Sequence, residues 1–212
     1  MRIDFVSDVS CPWCAIGLKS LEQALARMPE LEVDLHFQPF ELNPQMVPEG
    51  EEINAHLARK YGASTAQLEQ TREAIRQRGA ELGFTFTKGA RDRIYNTFDA
   101  HRLLHWAALQ AGPFQRDLKL ALLKAYFTEG KNPGSHEVLI QAAHQVGLDS
   151  QAAAAILASQ DFAEEVREAE RFWQAQGIQS VPAVIIDQRH LISGGQPSEV
   201  FEQALRQIAA SA

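Results

Sequence analysis

The stretch RIDFVSDVSCPWC (residues 2–14) is decisive for the fold class, because a strand pattern leads directly into two cysteines separated by a proline and a tryptophan. Residues 2–7 alternate in the manner of a β-strand. From Pro12 onward the apolar residues recur at helical spacing, and Pro29 stops the pattern. We therefore predict a strand followed by a helix that begins inside CPWC and ends before Pro29.

A second strand and a late hairpin complete the predicted sheet. Apolar and polar residues alternate in VDLHFQPF (33–40), so the N-terminal region forms a parallel strand–helix–strand unit. GIQSVPAVII (177–186) and HLISGG (190–195) return to β-branched side chains around the polar turn DQR, which favours a hairpin. A last helix follows, with Pro197 in its first turn. Its predicted inward stripe consists of Val200, Phe201, Ala204, Leu205 and Ile208.

The chain between these regions is predicted to be helical. Residues 41–52, ELNPQMVPEGEE, indicate a loop because they contain two prolines and several acids. Residues 53–175 follow a helical pattern with glycine and proline breaks, and only TFTK (85–88) suggests a short extended piece. The sheet residues therefore lie at both ends of the chain, with a helical block inserted between them.

The composition and net charge of the chain argue against several classes of function. Of 212 residues, 45% are hydrophobic and 22% charged, which is typical of a globular protein. A formal charge of -7 argues against a nucleic-acid partner, because nucleic-acid-binding proteins usually have a concentrated basic face. No apolar run approaches the roughly eighteen residues of a membrane span, and the first residues lack the layout of a secretory signal. We expect a cytoplasmic protein without a membrane partner, in a compartment where structural disulfides are rare.

The only two cysteines, Cys11 and Cys14, allow three interpretations. A zinc site needs about four ligands, and without a second cysteine pair the others would be histidines such as His101 and His105. These histidines stand one helical turn apart, but no HExxH motif accompanies them. Buried structural cysteines are a second interpretation. Redox chemistry is the third, and it explains both the spacing and the strand-to-helix position, so we expect no metal.

The position of Cys11 favours a reactive thiolate. If Pro12 is the first helical residue, Cys11 is the N-cap and its sulfur faces the free N–H groups of Trp13 and Cys14. The positive end of the helix dipole also stabilises the negative charge of a Cys11 thiolate. Cys14 lies one turn further on the same side, where it can attack a mixed disulfide at Cys11. Cys11 is therefore the predicted nucleophile and Cys14 the predicted resolving cysteine.

Motifs spread over nearly the whole chain resemble the DsbA-like thioredoxin-fold oxidoreductases, and more narrowly their FrnE-type cytoplasmic branch. These motifs are CPWCAIG (11–17), PFELNP (39–44), NTFDAHRLLHWA (96–107), LLKAYFTEGKN (122–132), VGLD (146–149), GIQSVPAVII (177–186) and SGGQP (193–197). The resemblance implies an α/β protein: a thioredoxin fold with a large inserted α-helical domain. The predicted divisions are a first thioredoxin-fold part at 1–48, the inserted helical domain at 49–175, and a second thioredoxin-fold part at 176–212.

The resemblance also implies how substrates are held next to the motif. The Val181–Pro182 peptide bond is expected to be cis and to pack against Cys11. Val181 would offer backbone groups to an extended substrate, which is recognition by strand addition. Pro12 and Trp13 belong to the same expected substrate-binding surface.

Two residues of the insertion are further candidates. Asn96 and His101 match a segment that in the family tends to face the active-site groove. From the residues alone, Asn96 could equally be a helix N-cap and His101 a packed helix histidine.

We expect a protein-disulfide oxidoreductase that cycles between dithiol and disulfide at Cys11 and Cys14, acting on disulfide-containing proteins or small thiols. No tightly bound cofactor is expected, and glutathione is the expected redox partner. The main alternative is a glutathione-dependent isomerase or transferase, resembling hydroxychromene-carboxylate isomerases and kappa-class glutathione transferases. Those enzymes typically have serine at the first motif position and need no second thiol. A catalytically silent interaction module fits poorly with an exposed thiol at a helix N-terminus.

Overall fold

The computed structural model describes residues 1–211, so Ala212, the last residue of the predicted second thioredoxin-fold part, lies outside the described residues. The strands are β1 (Arg2–Ser7), β2 (Asp34–Pro39), β3 (Glu51–Glu52), β4 (Arg93–Ile94), β5 (Ala183–Ile186) and β6 (His190–Ser193). The helices are α1 (Pro12–Ala26), α2 (Ile53–Tyr61), α3 (Thr65–Glu81), α4 (Phe98–Ala108), α5 (Phe114–Phe127), α6 (His136–Gln145), α7 (Ser150–Ala158), α8 (Ala163–Ala175) and α9 (Ser198–Ser211).

The main sheet has the strand order β2-β1-β5-β6. β1 pairs with β2 in parallel, and α1 connects the two, so the predicted strand–helix–strand unit is confirmed. β5 runs antiparallel to β1 and to β6, which confirms the predicted hairpin. The strand β1 therefore lies between β2 from the N-terminal region and β5 from the C-terminal region, so the sheet is assembled from both ends of the chain.

Both faces of the sheet are covered by helices. Ile3 and Phe5 of β1 belong to a core that includes residues of α1 and α9. Val6 faces the other way and packs with Trp173 of α8. Because apolar groups are buried on both sides, the strand is nearly inaccessible to water, and only Arg2 of β1 keeps partial exposure.

The helical block from α2 to α8 confirms the predicted insertion. Its helices α4 to α7 surround a second core, in which Leu103, Leu118 and Leu139 are fully buried. Val9, two residues before CPWC, belongs to this same core. The segment that leads into the motif is thus anchored in the inserted helices.

The prediction of a short extended piece at 85–88 did not specify what the segment packs against, and the predicted loop at 41–52 was wrong at its end, where β3 forms. Residues 85–88, TFTK, form no strand; the N–H of Thr87 donates to the carbonyl of Phe127, and Phe86 packs on the Phe127 ring at 5.1 Å between centroids. The segment is therefore held by a helix end and aromatic packing instead of strand pairing. The small second sheet is formed by β3 and β4, whose residues gave no clear strand pattern.

The last helix, predicted over residues 198–209, spans Ser198–Ser211, and its predicted inward stripe is only partly buried. Phe201 and Leu205 are buried, whereas Val200 is 40% exposed. Val200 lies about 100° around the helix axis from Phe201, so the two cannot both face the core directly. Pro197 stands just before α9, where its carbonyl accepts from the N–H of Val200 at 3.1 Å, and not in the first turn.

Candidate active site

The two cysteines lie where the sequence places them, at the start of α1. Cys11 is the N-cap and Pro12 the first helical residue. The carbonyl of Cys11 accepts from the N–H of Cys14 at 3.1 Å, so the first turn of the helix forms within the motif. Both cysteines are free thiols.

The sulfur of Cys11 does not cap the helix, contrary to the prediction. It forms no hydrogen bond to the first N–H groups of α1. Instead Sγ lies 3.6 Å from the carbonyl oxygen of Val181, to which the thiol donates. In this dithiol state the Cys11 sulfur is hydrogen-bonded to the backbone of Val181 and not to the N–H groups of α1. Cys11 is only 4% exposed.

Cys14 is fully buried behind Cys11. Burial raises the pKa of the Cys14 thiol well above its usual value, and the hydrogen bond to Cys11 and the negative charge that Cys11 carries when ionised raise it further. The charge of Lys119 and the backbone N–H of Asp8 act in the opposite direction. Cys14 therefore holds its proton more tightly than an ordinary cysteine thiol does.

The Val181–Pro182 peptide bond is cis, as the resemblance implies. Pro182 is buried next to α1, where a Cβ added at Gly17 would lie 3.1 Å from the proline Cγ. A Cβ added at Gly195 would lie 2.9 Å from the carbonyl oxygen of Trp13. Two glycines thus allow the proline loop and the β6–α9 loop to approach the motif closely.

A groove of about 730 Å³ opens in front of Cys11, and we call it the CPWC groove. Its lining includes Cys11, Pro12, Trp13, Val181, Glu41, Asn43, His56, Lys60, Tyr61, Arg72 and Arg91. Cys11, Pro12, Trp13 and Val181 form one wall of the groove. Residues of α2 and α3, which belong to the insertion, form another. Trp13 is 39% exposed and Tyr61 is 61% exposed, so aromatic surface is available on both walls.

The groove has a cationic character. Lys60, Arg72 and Arg91 line it, whereas Glu41 is the one carboxylate in its lining within residues 1–211. Lys60 is held in place because its Nζ donates to the carbonyl of Leu42 at 2.7 Å. Burial lowers the pKa of Lys60, while the charges of Asp8 and Cys11 raise it. The groove therefore suits a ligand that carries negative charge.

Asn96 and His101 do not line this groove. Asn96 Oδ1 accepts from the N–H of Phe98 at 2.9 Å in the turn that precedes α4, and the N-cap of α4 is the next residue, Thr97. His101 is 2% exposed, and its Nε2 lies 3.6 Å from Oδ1 of Asp8. His101 is therefore a packed helix histidine, whereas Asn96 stabilises the turn before α4 and is not its N-cap.

Asp8 connects the segment before CPWC to the loop that follows β2. Its carboxylate accepts from the N–H of Ser10 at 3.1 Å and from the N–H of Leu42 at 2.7 Å. Burial tends to raise the pKa of Asp8, but His101 and these N–H groups lower it to about 2. An ionised carboxylate therefore lies next to the segment that leads into the motif, and no sequence pattern predicts this role of Asp8.

Within residues 1–211, no three His, Cys, Asp or Glu side chains lie close enough together to hold a metal ion. In the same part of the chain, no helix is both long and apolar enough to cross a membrane.

Residues 2–206 match the family described as DSBA-like thioredoxin domain, and the chain belongs to that family. The crystal structure of a probable DsbA oxidoreductase from Streptomyces coelicolor is 33% identical, with a TM-score of 0.93 over 100% of this chain and 91% of that chain. Uncharacterized protein YwbO of Bacillus subtilis (strain 168) is 25% identical over 206 residues, which are 97% of this chain and 96% of that protein.

Two more distant structures share the fold. A 2-hydroxychromene-2-carboxylate isomerase superposes with a TM-score of 0.74 at 14% identity, over 100% of this chain and 97% of its own. The cytosolic disulfide reductase DsbM from Pseudomonas aeruginosa, solved with GSH, superposes with a TM-score of 0.67 at 17% identity, over 99% of this chain and 100% of its own. Membership of the DsbA-like family supports a thiol–disulfide oxidoreductase or isomerase function in general.

Proposed function

We propose that the protein is a thiol–disulfide oxidoreductase that cycles between dithiol and disulfide at Cys11 and Cys14. The observation that carries the proposal is the arrangement of the two free thiols. Cys11 borders an open groove, and the protonated thiol of Cys14 lies directly behind it. The Cys11 sulfur can react with a substrate disulfide, and the Cys14 sulfur remains available for the second step.

The proposed cycle uses the two thiols in sequence. The Cys11 thiolate attacks a substrate disulfide, so one substrate sulfur leaves as a thiolate and the other remains bonded to Cys11. Cys14 then loses its proton and attacks the Cys11 sulfur. The Cys11–Cys14 disulfide forms, and the second substrate sulfur leaves as a thiolate. The substrate has gained two electrons, and an external dithiol or two monothiols return the enzyme to its reduced form.

Substrates are proposed to bind along the backbone of Val181, which would pair with an extended segment by strand addition. The proposal is supported by the position of the Val181 carbonyl, 3.6 Å from the reactive sulfur. A substrate that pairs with Val181 therefore has its disulfide next to Cys11. Pro12 and Trp13 would contact the same substrate, since both line the groove.

Glutathione is the proposed redox partner, and no tightly bound cofactor is required. Glutathione carries two carboxylates, and Lys60, Arg72 and Arg91 give the groove the opposite charge. DsbM, a structural neighbour described as cytosolic and solved with GSH, gives further support. We propose a FrnE-type protein of the cytoplasm that acts on disulfide-containing proteins or small disulfides.

The alternative is a glutathione-dependent isomerase or transferase, whose fold is shared by the isomerase neighbour. In such an enzyme the first motif position would only hold or activate the glutathione thiolate. Cys14 would then have no chemical step to perform. The two hypotheses therefore differ in what the second thiol does.

The test is the Cys14→Ser variant in an insulin-disulfide reduction assay, followed by mass spectrometry. We expect turnover to be lost and mixed disulfides to accumulate on Cys11, because the step that releases them is missing. Ala15→Ser is the matched control, since it places the same hydroxyl at the next buried position of α1. Full turnover in Cys14→Ser without trapped adducts would refute the two-cysteine cycle and favour the isomerase or transferase.

A further inference from the structure

Three cationic side chains line the CPWC groove, and they differ in how many of their N–H groups the protein already uses. Lys60 Nζ donates to Oδ1 of Asn43 at 2.8 Å, in addition to its bond to a backbone carbonyl. Arg72 Nη1 lies 3.8 Å from Oε2 of Glu69, and Arg72 Nη2 donates to a second side chain at 2.6 Å. Two of the three cations are therefore already engaged by polar groups of the protein.

Arg91 is the third cation, and most of its N–H groups remain free. Within residues 1–211, no carboxylate lies within ion-pair distance of its guanidinium. In the same part of the chain its side chain donates one hydrogen bond, from Nη1 to the hydroxyl oxygen of Tyr126 at 3.4 Å. A guanidinium has five N–H groups, so Arg91 can still donate to a ligand in the groove.

Two aromatic rings of α5 hold the guanidinium of Arg91 in place. Its Cζ lies 5.2 Å from the ring centroid of Tyr126 and 4.7 Å from that of Phe127. Both distances are within the range of cation–π attraction. Tyr126 is fully buried and donates to the carbonyl of Arg93 at 2.8 Å, so this ring is itself fixed. A guanidinium held in this way loses little freedom when it binds a ligand.

The turn that carries Arg91 is also fixed to the end of α5. The N–H of Thr87 donates to the carbonyl of Phe127 at 3.1 Å. Gly130 has a φ of +70°, and a Cβ added there would overlap the carbonyl oxygen of Ala90. Phe127 and Gly130 both belong to LLKAYFTEGKN (122–132). This motif therefore positions Arg91 at the groove although none of its own residues lines the groove.

Arg91 lies where the CPWC groove meets a neighbouring depression of about 320 Å³, since Arg72 and Arg91 line both. Arg76 and Lys88 line only the depression, and they lie 2.9 Å and 3.9 Å from Oε1 of Glu69. The other cations at this junction are therefore paired with a carboxylate. In the described part of the chain, Arg91 is not.

We propose that Arg91 binds a carboxylate of the substrate and so makes small anionic disulfides, such as oxidised glutathione, preferred over neutral ones. This inference rests on the proposed function, because it concerns the substrates of the same thiols. A planar guanidinium can donate two parallel N–H bonds to one carboxylate, which a point charge cannot do. The groove holds Cys11 and Arg91 in one space of about 730 Å³, which is within the range of small-molecule sites.

The test is the binding of S-methylglutathione, which keeps both carboxylates but has no thiol and forms no disulfide. We expect Arg91→Met to raise the Kd about tenfold, measured by nuclear magnetic resonance titration at low salt. In the wild type the Nε–H resonance of Arg91 should shift as the ligand is added. An unchanged Kd in Arg91→Met would overturn the proposal, and so would a wild type that does not bind the ligand.

Arg78→Met is the matched control, because it removes the same charge from α3. Arg78 is half-buried, as Arg91 is, but it lines neither the groove nor the neighbouring depression. We expect its Kd to stay within about twofold of the wild type, since solvent and salt screen a charge outside the groove. Equal weakening in Arg78→Met and Arg91→Met would show a general effect of net charge and contradict a specific role of Arg91.

Arg91→Lys separates the charge from the shape of the side chain. Lysine keeps the positive charge but has no planar fork and does not lie flat on two rings. We expect its Kd to remain raised by about threefold or more. Wild-type affinity in Arg91→Lys would contradict recognition through paired N–H groups.

Two amidated ligands identify the carboxylate that Arg91 binds. One has the glycyl carboxylate of S-methylglutathione converted to an amide, and the other has the glutamyl carboxylate converted. We expect one of these changes to weaken wild-type binding about tenfold and to have no further effect in Arg91→Met, because the two groups then share one interaction. If Arg91→Met does not fold, the wild-type Nε–H shift decides, since it should disappear with the same amide. Absence of any such coupling, or a shift that persists with both amides, would overturn the proposal.

Oxidation of the reduced protein separates this inference from the dithiol cycle. We expect the ratio of the second-order rate constants for oxidised glutathione and for neutral hydroxyethyl disulfide to fall about tenfold in Arg91→Met, and to be kept in Arg78→Met. An unchanged ratio in Arg91→Met would reject Arg91 as a specificity residue while the cycle stands. A wild type that forms no Cys11–Cys14 disulfide with either reagent would refute the cycle, and the binding of S-methylglutathione would still decide the role of Arg91.

Discussion

Asp8 stabilises the segment that leads into the active site. Its pKa is held at about 2 in the folded protein, below the ordinary value of 3.8. This difference corresponds to roughly 2 kcal/mol of stability. Because the folded value is the lower one, that stability is complete above about pH 4 and is lost as the pH falls through about 2.

We therefore expect Asp8→Asn to lower the free energy of unfolding at pH 7 by about 2 kcal/mol or more. The difference from wild type should shrink between about pH 4 and pH 2, as measured by urea unfolding at a series of pH values. Asp34→Asn is the control, because 72% of the Asp34 side chain is exposed. A difference that stays constant down to pH 2 would contradict the assigned charge on Asp8.

Single residues differed in how far the sequence could predict them. The position of Cys11 and Cys14 at the start of α1 could be predicted, because a strand pattern leads directly into CPWC and Pro12 is suited to the first helical position. Lys119 carried no such signal, because a lysine within FQRDLKLALLKAYF reads as part of a solvated face. Its burial depends on α5 packing against β2 and α1, which are distant in the chain.

Gly195 lies where the β6–α9 loop approaches α1 closely, so we expect a larger side chain at this position to destabilise the protein. An added Cβ would lie 2.9 Å from the backbone oxygen of Trp13, which cannot move without shifting the first turn of α1. We expect Gly195→Ala to lower the free energy of unfolding by about 1–3 kcal/mol, measured by denaturant titration. Gly17→Ala is the comparison, because its methyl would meet the side chain of Pro182 at 3.1 Å and should cost less. Equal or reversed effects would show that the β6–α9 loop adapts freely.

The bounds of helices and strands were predicted best where the hydrophobic periodicity and the positions of proline and glycine indicated the same bounds. α1 has Pro12 at its start and Pro29 beyond its end, and both bounds were predicted. The segment 85–88 has strand-like composition, but Phe84 and Phe86 are used to pack on Phe127. Composition predicts that such side chains will be buried, and it does not specify whether a strand partner or a helix end will cover them.

Residues of the insertion and residues of the thioredoxin fold pack together in the same hydrophobic cores. The core on the α1 face of the sheet includes Leu123, Tyr126 and Phe127 of α5, and the helical core includes Val9 from beside the motif. The boundaries at 48/49 and 175/176 remain predictions. The contacts indicate that the two parts stabilise each other across those boundaries.

We therefore expect the whole chain to unfold in one cooperative transition. Trp106 lies in the helical core and Trp173 on the other face of the sheet, so tryptophan fluorescence reports on both regions. Fluorescence and far-ultraviolet circular dichroism should give the same midpoint in urea. Two separate transitions would show that the insertion is an independent unit.

The reduction potential of the Cys11–Cys14 pair is the most direct test of the proposed dithiol cycle. The protein would be equilibrated in glutathione and dithiothreitol buffers of known potential, quenched with acid and analysed by mass spectrometry. We predict a single two-electron transition to an internal disulfide that is lighter than the dithiol by two hydrogen atoms, spread over roughly 30 mV per tenfold change in the oxidised-to-reduced ratio. A protein that remains a dithiol throughout, or that accumulates only a glutathione adduct on Cys11, would contradict the cycle.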